Sequence, residues 1–159
     1  MSSFPEKLTD RFRRFRHRHF VPNADHYEEL ATYGQSPEVM VLSCCDSRVD
    51  PETIFNAMPG ELFVVRNVAN LVPPYETGGL YHGVSTAIEF AVLNLRVKHL
   101  IVMGHSSCGG VKAALDQSAA IQTEAMFISR WMSMLDDARL RVISANRSEE
   151  HTSELQSLT

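Results

Sequence analysis

Glu38-Val39-Met40-Val41-Leu42-Ser43-Cys44-Cys45-Asp46-Ser47-Arg48 is the stretch that decides how this chain folds. Its front half is a short apolar run set off by Gly34 and Pro37. A run that short and that apolar reads as a strand buried on both faces, as in parallel sheets. Its back half changes abruptly to thiols and charges. The same change occurs downstream, where His99-Leu-Ile-Val-Met103 is followed at once by His105-Ser-Ser-Cys108-Gly-Gly110. A third run, Glu61-Leu-Phe-Val-Val65, lies between them. Helical periodicity fills residues 80–95, where Val84, Ala87, Ile88, Ala91, Val92 and Leu95 recur at helical spacing. Strands alternating with helices predict an α/β fold with a mostly parallel central sheet flanked by helices. Crossovers between such strands are expected to be right-handed.

Further helices are predicted outside these strands. Residues 5–19 read as an amphipathic arm, with Leu8, Phe12 and Phe15 on one face and Arg11, Arg14 and Arg18 on the other. Shorter helical segments fit 24–32 and 51–56. One helix begins at Gly109 or Gly110, and another spans about 122–142. The length of 159 residues suggests one domain, and 44% hydrophobic residues can fill its core. A formal charge of -4 speaks against nucleic acid as the main partner. Three cysteines and no apolar leader at the N-terminus speak against a disulfide framework. No run approaches the roughly 18 apolar residues of a membrane span. The expected location is the cytoplasm, with no membrane partner.

Cys44-x-Asp46-x-Arg48 and His105-x-x-Cys108 both follow strands directly, so both fall at the carboxyl ends of parallel strands, where open α/β sheets bind ligands. A His and a Cys three residues apart on a tight turn can face one metal, and Cys44 adds a third ligand. Two thiolates and an imidazole suit zinc and leave one tetrahedral position for water, the pattern of a catalytic site. Two thiolates also neutralise the dication, so a neighbouring group must help orient and deprotonate that water. Asp46 is placed to accept its hydrogen bond, and Arg48 to hold Asp46 bidentately in its ionised form. Gly109 and Gly110 let backbone approach the site and offer amide donors at a helix start.

The order C-x-D-S-R followed by H-x-x-C-G-G resembles the β-class carbonic anhydrases. The segment between them, Gly60-Glu-Leu-Phe-Val-Val-Arg-Asn-Val-Ala-Asn70, resembles that family too, and the likeness runs over about residues 5–145. It implies reversible hydration of carbon dioxide to bicarbonate and a proton, with one Zn2+ per chain held by Cys44, His105 and Cys108. It also implies a catalytic Asp46–Arg48 dyad. Gln35 matches a family glutamine that contacts substrate. The family assembles as homodimers or larger homo-oligomers, with N-terminal helices reaching over a neighbour and the site at the interface. Phe90, where some members have tyrosine, is then expected to line a pocket, and Gly109 to contact substrate. Where some members carry a tryptophan that helps form a regulatory bicarbonate site, this chain has Val41. No such site is expected, nor replacement of the zinc-bound water by Asp46 at neutral pH.

Several residues have plainer readings. Cys45 replaces a small residue and is expected to serve packing. Arg66 reads equally as a substrate anchor or as a packing residue of the dimer. His17 and His19 fit a solvated helix face rather than a chelating pair. Tyr81 and His82 fit packing at a helix start rather than a proton relay. The arginine-rich arm fits docking on a partner subunit better than nucleic acid or a membrane. Residues 147–159, RSEEHTSELQSLT, are polar and aperiodic and look like a translated sequencing adapter. They are read as a non-native or disordered tail, which leaves 1–146 as the domain, short of the family's C-terminal part and with apolar surface and a strand edge uncovered. Two other functions fit the residues less well. One is hydrolysis of carbon disulfide or carbonyl sulfide on the same fold, and the other is a non-catalytic zinc or redox module. Asp46 and Arg48 are both present, which disfavours the module. Cys44 to Arg48 is too short for a Cys-x5-Arg phosphatase loop.

Overall fold

A computed structural model describes residues 4–79, 81–116 and 126–145. Three strands, β1 (Val39–Cys44), β2 (Leu62–Asn67) and β3 (His99–Met103), form a parallel sheet in the order β2-β1-β3. The central strand is the most buried. Met40, Val41, Leu42 and Ser43 have no exposure at all. This is the burial that a continuous apolar run requires. β2 is half-buried along its length. β3 lies at the other edge, with Leu100, Ile101 and Val102 exposed. No further strand covers it among the described residues.

Helices surround the sheet: α1 (Glu6–Phe15), α2 (Ala24–Tyr33), α3 (Pro51–Ile54), α4 (Gly83–Glu89), α5 (Gly109–Asp116) and α6 (Met126–Met132). A further helical segment covers 136–145. No helix among the described residues is long and apolar enough to cross a membrane. The arm expected over 5–19 is α1 followed by a wider π-helical turn, Arg16–Phe20, and a 3-10 turn, Val21–Asn23. Pro22 explains the change: it has no N–H to donate, and its ring collides with the carbonyl one turn back. Leu8, Phe12 and Phe15 do share a stripe, and it is exposed at 48%, 63% and 42%.

Two more expected helices are interrupted. Residues 83–95 hold α4 and then a π-helical stretch, Phe90–Leu95, which ends with Arg96 in the left-handed region and Val97 N–H donating to the Ala91 carbonyl. The helix expected over 122–142 is broken by a 3-10 turn at Ser133–Leu135, and its residues 122–125 lie outside the described residues. The tail 147–159 also lies outside them.

Gly60 shows why one turn needs glycine. Its φ is +92°, and a Cβ there would meet Leu30 Cδ2 at 2.7 Å. Thus α2 closes directly onto the turn that feeds β2.

Candidate metal centre

Register brings the two motifs together. Cys44 ends β1 beside Asn67 of β2, and Ser43 lies opposite Met103, the last residue of β3. Neighbouring strands are roughly 4.8 Å apart, so the loops leaving β1 and β3 emerge side by side. Their side chains converge: Cys44 Sγ, a ring nitrogen of His105 and Cys108 Sγ all lie within 4.8 Å of one another. The two sulfurs are 3.9 Å apart, and both thiols are buried and free. Tetrahedral zinc with Zn–S of about 2.3 Å sets its sulfurs about 3.8 Å apart.

His105 carries the clearest mark of a ligand. Its Nδ1 lies 2.9 Å from the Ser106 carbonyl, so Nδ1 bears the proton and Nε2 keeps its lone pair. Nε2 is buried and has no hydrogen-bond partner in the protein. Buried polar atoms are rarely left orphaned, and this one faces the two thiols. The donor set and its geometry therefore fit zinc, with Cys44, His105 and Cys108 as the residues that hold it. Burial pushes the Cys44 thiol up, but the backbone amides of Asp46 and Ala69, together with the close approach of His105 and Cys108, outweigh it. The net shift is downward, toward the thiolate that a metal needs.

Asp46 stands beside this set. Its Oδ2 is 3.9 Å from His105 Nε2. Arg48 grips it as a fork, with Nε donating to Oδ1 at 2.8 Å and Nη2 to Oδ2 at 2.7 Å. The Arg48 backbone N–H adds a third bond to Oδ1 at 3.0 Å. These bonds, led by the Arg48 side chain, hold the Asp46 carboxyl far below the ordinary carboxylate range despite some desolvation. Asp46 thus stays an acceptor at any ordinary pH. Arg48 Nη2 also reaches the Ser107 carbonyl at 3.3 Å, tying the first loop to the second.

The floor of the site is a small core of Cys44, Ala69, Cys108 and Met132, with Leu71, Ala114, Ile128 and Trp131 packed against it. Asn67 pins the turn after β2. Its side chain donates to the Leu71 carbonyl and accepts from the Leu71 amide, both at 2.8 Å. Within that turn Ala69 sits in the left-handed region at φ 64°. Trp131 Nε1 donates to the Val68 carbonyl at 2.8 Å and locks α6 onto it. Gly110 lies against the same turn: a Cβ there would stand 3.1 Å from Ala69 Cβ and 3.2 Å from Val68 Cγ1. Gly109 has open space around it. Packing therefore favours glycine at 110, where a Cβ would press on the turn, and leaves 109 free.

Other expectations are placed as follows. Gln35 is exposed, just before β1. Phe90 is 43% exposed and tilts against Phe63 at a centroid distance of 5.9 Å. Cys45 is exposed, which corrects its reading as a packing residue. β1 ends at Cys44, so Cys45 lies in the loop beyond the strand that is buried on both faces. Tyr81 is 94% exposed, and His82 Nε2 is buried without a partner, close against Gly79. The Arg66 guanidinium donates within the chain to the Cys44 and Asp46 carbonyls and to Asp50 Oδ1. Asp50 itself was legible but overlooked. An acidic residue ahead of Pro51 is a helix-start signature, and its carboxylate caps α3 through Thr53 N–H at 3.1 Å.

Fold and site together define a class: a parallel α/β protein with a Cys2His metal centre at the carboxyl ends of adjacent strands. Comparison with known proteins gives the family. The carbonic anhydrase family model matches residues 39–159. The chain is 39% identical over 138 residues to beta carbonic anhydrase 6, mitochondrial, of Arabidopsis thaliana, covering 87% of this chain and 47% of that protein. The structure of the β-carbonic anhydrase CcaA superposes with a TM-score of 0.80 at 33% identity, over 91% of this chain and 62% of that one. The Coccomyxa β-carbonic anhydrase in complex with acetazolamide gives 0.74 at 30% identity, over 88% and 59%. A tetrameric β-carbonic anhydrase from Sordaria macrospora gives 0.73 at 30% identity, over 93% and 68%. This chain belongs to the β-class carbonic anhydrase family. It spans about half the length of the curated relative.

Proposed function

We propose that this chain catalyses the reversible hydration of carbon dioxide to bicarbonate and a proton. The observation that carries the reading is the buried Cys44–His105–Cys108 set with an ionised, arginine-locked Asp46 beside it. When bound, zinc supplies the Lewis acidity that makes water a nucleophile near neutral pH. The protein's own groups do the rest. Asp46 accepts a hydrogen bond from the attacking water and orients its lone pair toward carbon. Arg48 keeps Asp46 charged and, by occupying both of its oxygens, holds it as an acceptor rather than a fourth ligand. The His105 Nδ1–H bond to Ser106 fixes the imidazole so that Nε2 faces the metal position.

Substrate contacts are assigned to the Gly109 amide, at the start of α5, and to Gln35 and Phe90. The exposure of Gln35 and Phe90 in a single chain supports a site completed by a second copy. The exposed Leu8–Phe12–Phe15 stripe supports a homodimer or larger homo-oligomer in which the arm docks on its neighbour. The test is stopped-flow hydration of carbon dioxide by the zinc-loaded protein, with carbon disulfide and carbonyl sulfide assayed in parallel. Turnover of carbon dioxide that disappears in Asp46→Asn supports the reading. Turnover of the sulfur substrates alone would replace it.

A further inference from the structure

Arg66 sits on β2, one residue before the strand position that pairs with Cys44. Its side chain is mostly buried, at 28% exposure. One guanidinium makes three directed bonds: Nε to the Cys44 carbonyl at 3.0 Å, Nη2 to the Asp46 carbonyl at 2.7 Å and Nη1 to Asp50 Oδ1 at 3.1 Å. Those partners span the whole loop from the first metal ligand, through Asp46, to the residue that caps α3. The loop's other ties point the same way. Cys45 N–H donates to the Asn67 carbonyl at 2.9 Å, and Val49 N–H to the Asp46 carbonyl at 3.1 Å. Asp50 meanwhile accepts from both the amide and the hydroxyl of Thr53, so the far end of the loop is fixed to α3.

We propose that Arg66 is a positioning residue for the metal centre: its planar fork sets the backbone of the Cys44–Asp50 loop, and through it the direction of Cys44 Sγ and the seat of Asp46. The inference rests on the reading that Cys44, His105 and Cys108 hold zinc. The geometry explains why arginine stands here. The carbonyls of Cys44 and Asp46 lie at and just beyond the end of β1, where the ladder to β2 gives out after the Cys45 N–H bond, and part-buried carbonyls need donors. Lysine carries the same charge but is a point donor on a flexible stem, and it cannot hold three acceptors in fixed directions. A group that orients a ligand from behind controls metal retention, and losing one costs about 10- to 100-fold in metal affinity.

The experiment compares the full-length parent with Arg66→Lys, Arg66→Met and Asp50→Asn. Zinc is transferred to an excess of a chromophoric chelator, and the release rate is read together with thermal unfolding. Cobalt(II) is loaded separately, and its visible spectrum reports the ligand geometry. Both Arg66 variants are expected to release zinc about 10- to 100-fold faster than the parent and to shift the cobalt bands. Asp50→Asn leaves both carbonyl bonds intact and is expected to give a smaller effect on release. A merely structural or charge role predicts a lower melting temperature with parental release and an unchanged spectrum, or full rescue by Arg66→Lys. Either result overturns the proposal. Should Arg66→Met fail to fold, Arg66→Lys and Asp50→Asn decide the matter alone. A parent that binds no zinc would instead sink the metal reading itself.

Discussion

Gly110→Ala should destabilise the protein even though alanine is the better helix former. Two effects oppose one another at this position in α5. Alanine in place of glycine in a helix gains up to about 1 kcal/mol. The added methyl would stand 3.1 Å from Ala69 Cβ, 3.2 Å from Val68 Cγ1 and 3.6 Å from Met132 Cε. Met132 can swing its terminal methyl away, but the turn holding Val68 and Ala69 cannot give easily. Asn67 staples it at both ends to Leu71, and Trp131 holds the Val68 carbonyl. Overpacking of this kind costs about 1–3 kcal/mol. With the full helix gain subtracted, the net loss is up to about 2 kcal/mol, or up to roughly 4–8 °C in melting temperature for a chain of this size. Cys108 lies two residues upstream, so zinc affinity should fall as well. Gly109→Ala is the internal control. No atom lies within 4 Å of its added methyl, so it should be neutral or slightly stabilising. Thermal unfolding by circular dichroism, with and without zinc, reads both variants. A Gly110→Ala protein that melts at or above the parent temperature would refute the packing argument.

Asp46→Asn should keep its zinc and lose at least about 100-fold in carbon dioxide turnover, because asparagine cannot act as the charged acceptor. Elemental analysis and stopped-flow kinetics on the same sample check the two halves. Asp50 gives a pH prediction. The Thr53 hydroxyl, most of all, then the Thr53 amide and Arg66 hold its carboxyl below the ordinary value against the desolvation that opposes them. Its contribution is full above the unfolded pKa of about 3.9 and is lost as pH falls through the lower folded value. Asp50→Asn keeps a capping oxygen and loses only the charge facing Arg66, so it should cost about 0.2–1 kcal/mol at neutral pH, with the gap to the parent closing below about pH 4. Denaturant melts at several pH values measure this, and a gap that widens in acid contradicts it. Met132→Ala should cost about 2–5 kcal/mol, since Met132 is 6% exposed and closes the small core under both metal thiols. A loss below half a kilocalorie in urea unfolding would remove it from that core.

The strands and the metal ligands were legible because each rests on a strong local signal. Apolar runs bounded by turn residues marked β1, β2 and β3 to within two residues, though only β1 is buried on both faces and the exposure of β3 left no mark in its sequence. Cys44, His105 and Cys108 stood out because reactive side chains at strand ends have few plainer uses. What could not be read depends on contacts distant in sequence. Nothing around Arg66 announces that its fork reaches back to carbonyls of Cys44 and Asp46, because backbone acceptors leave no trace in residue identity. The π-helical stretches are equally silent. Phe90–Leu95 keeps a helical apolar period while its hydrogen bonding widens. Cys45 reads as a packing residue because it replaces a small one, whereas its exposure follows from β1 ending at Cys44, a boundary that residue identity does not mark. The need for glycine at 110 rather than 109 depended on where the Val68–Asn70 turn lies, which only the fold reveals.

The most direct test of the whole account is zinc content, measured by elemental analysis on the parent and on Cys108→Ser purified side by side. The shared ligand set of Cys44, His105 and Cys108 predicts one zinc per chain in the parent and loss of most of it in the variant. Full zinc in Cys108→Ser, or none in the parent, would contradict the account.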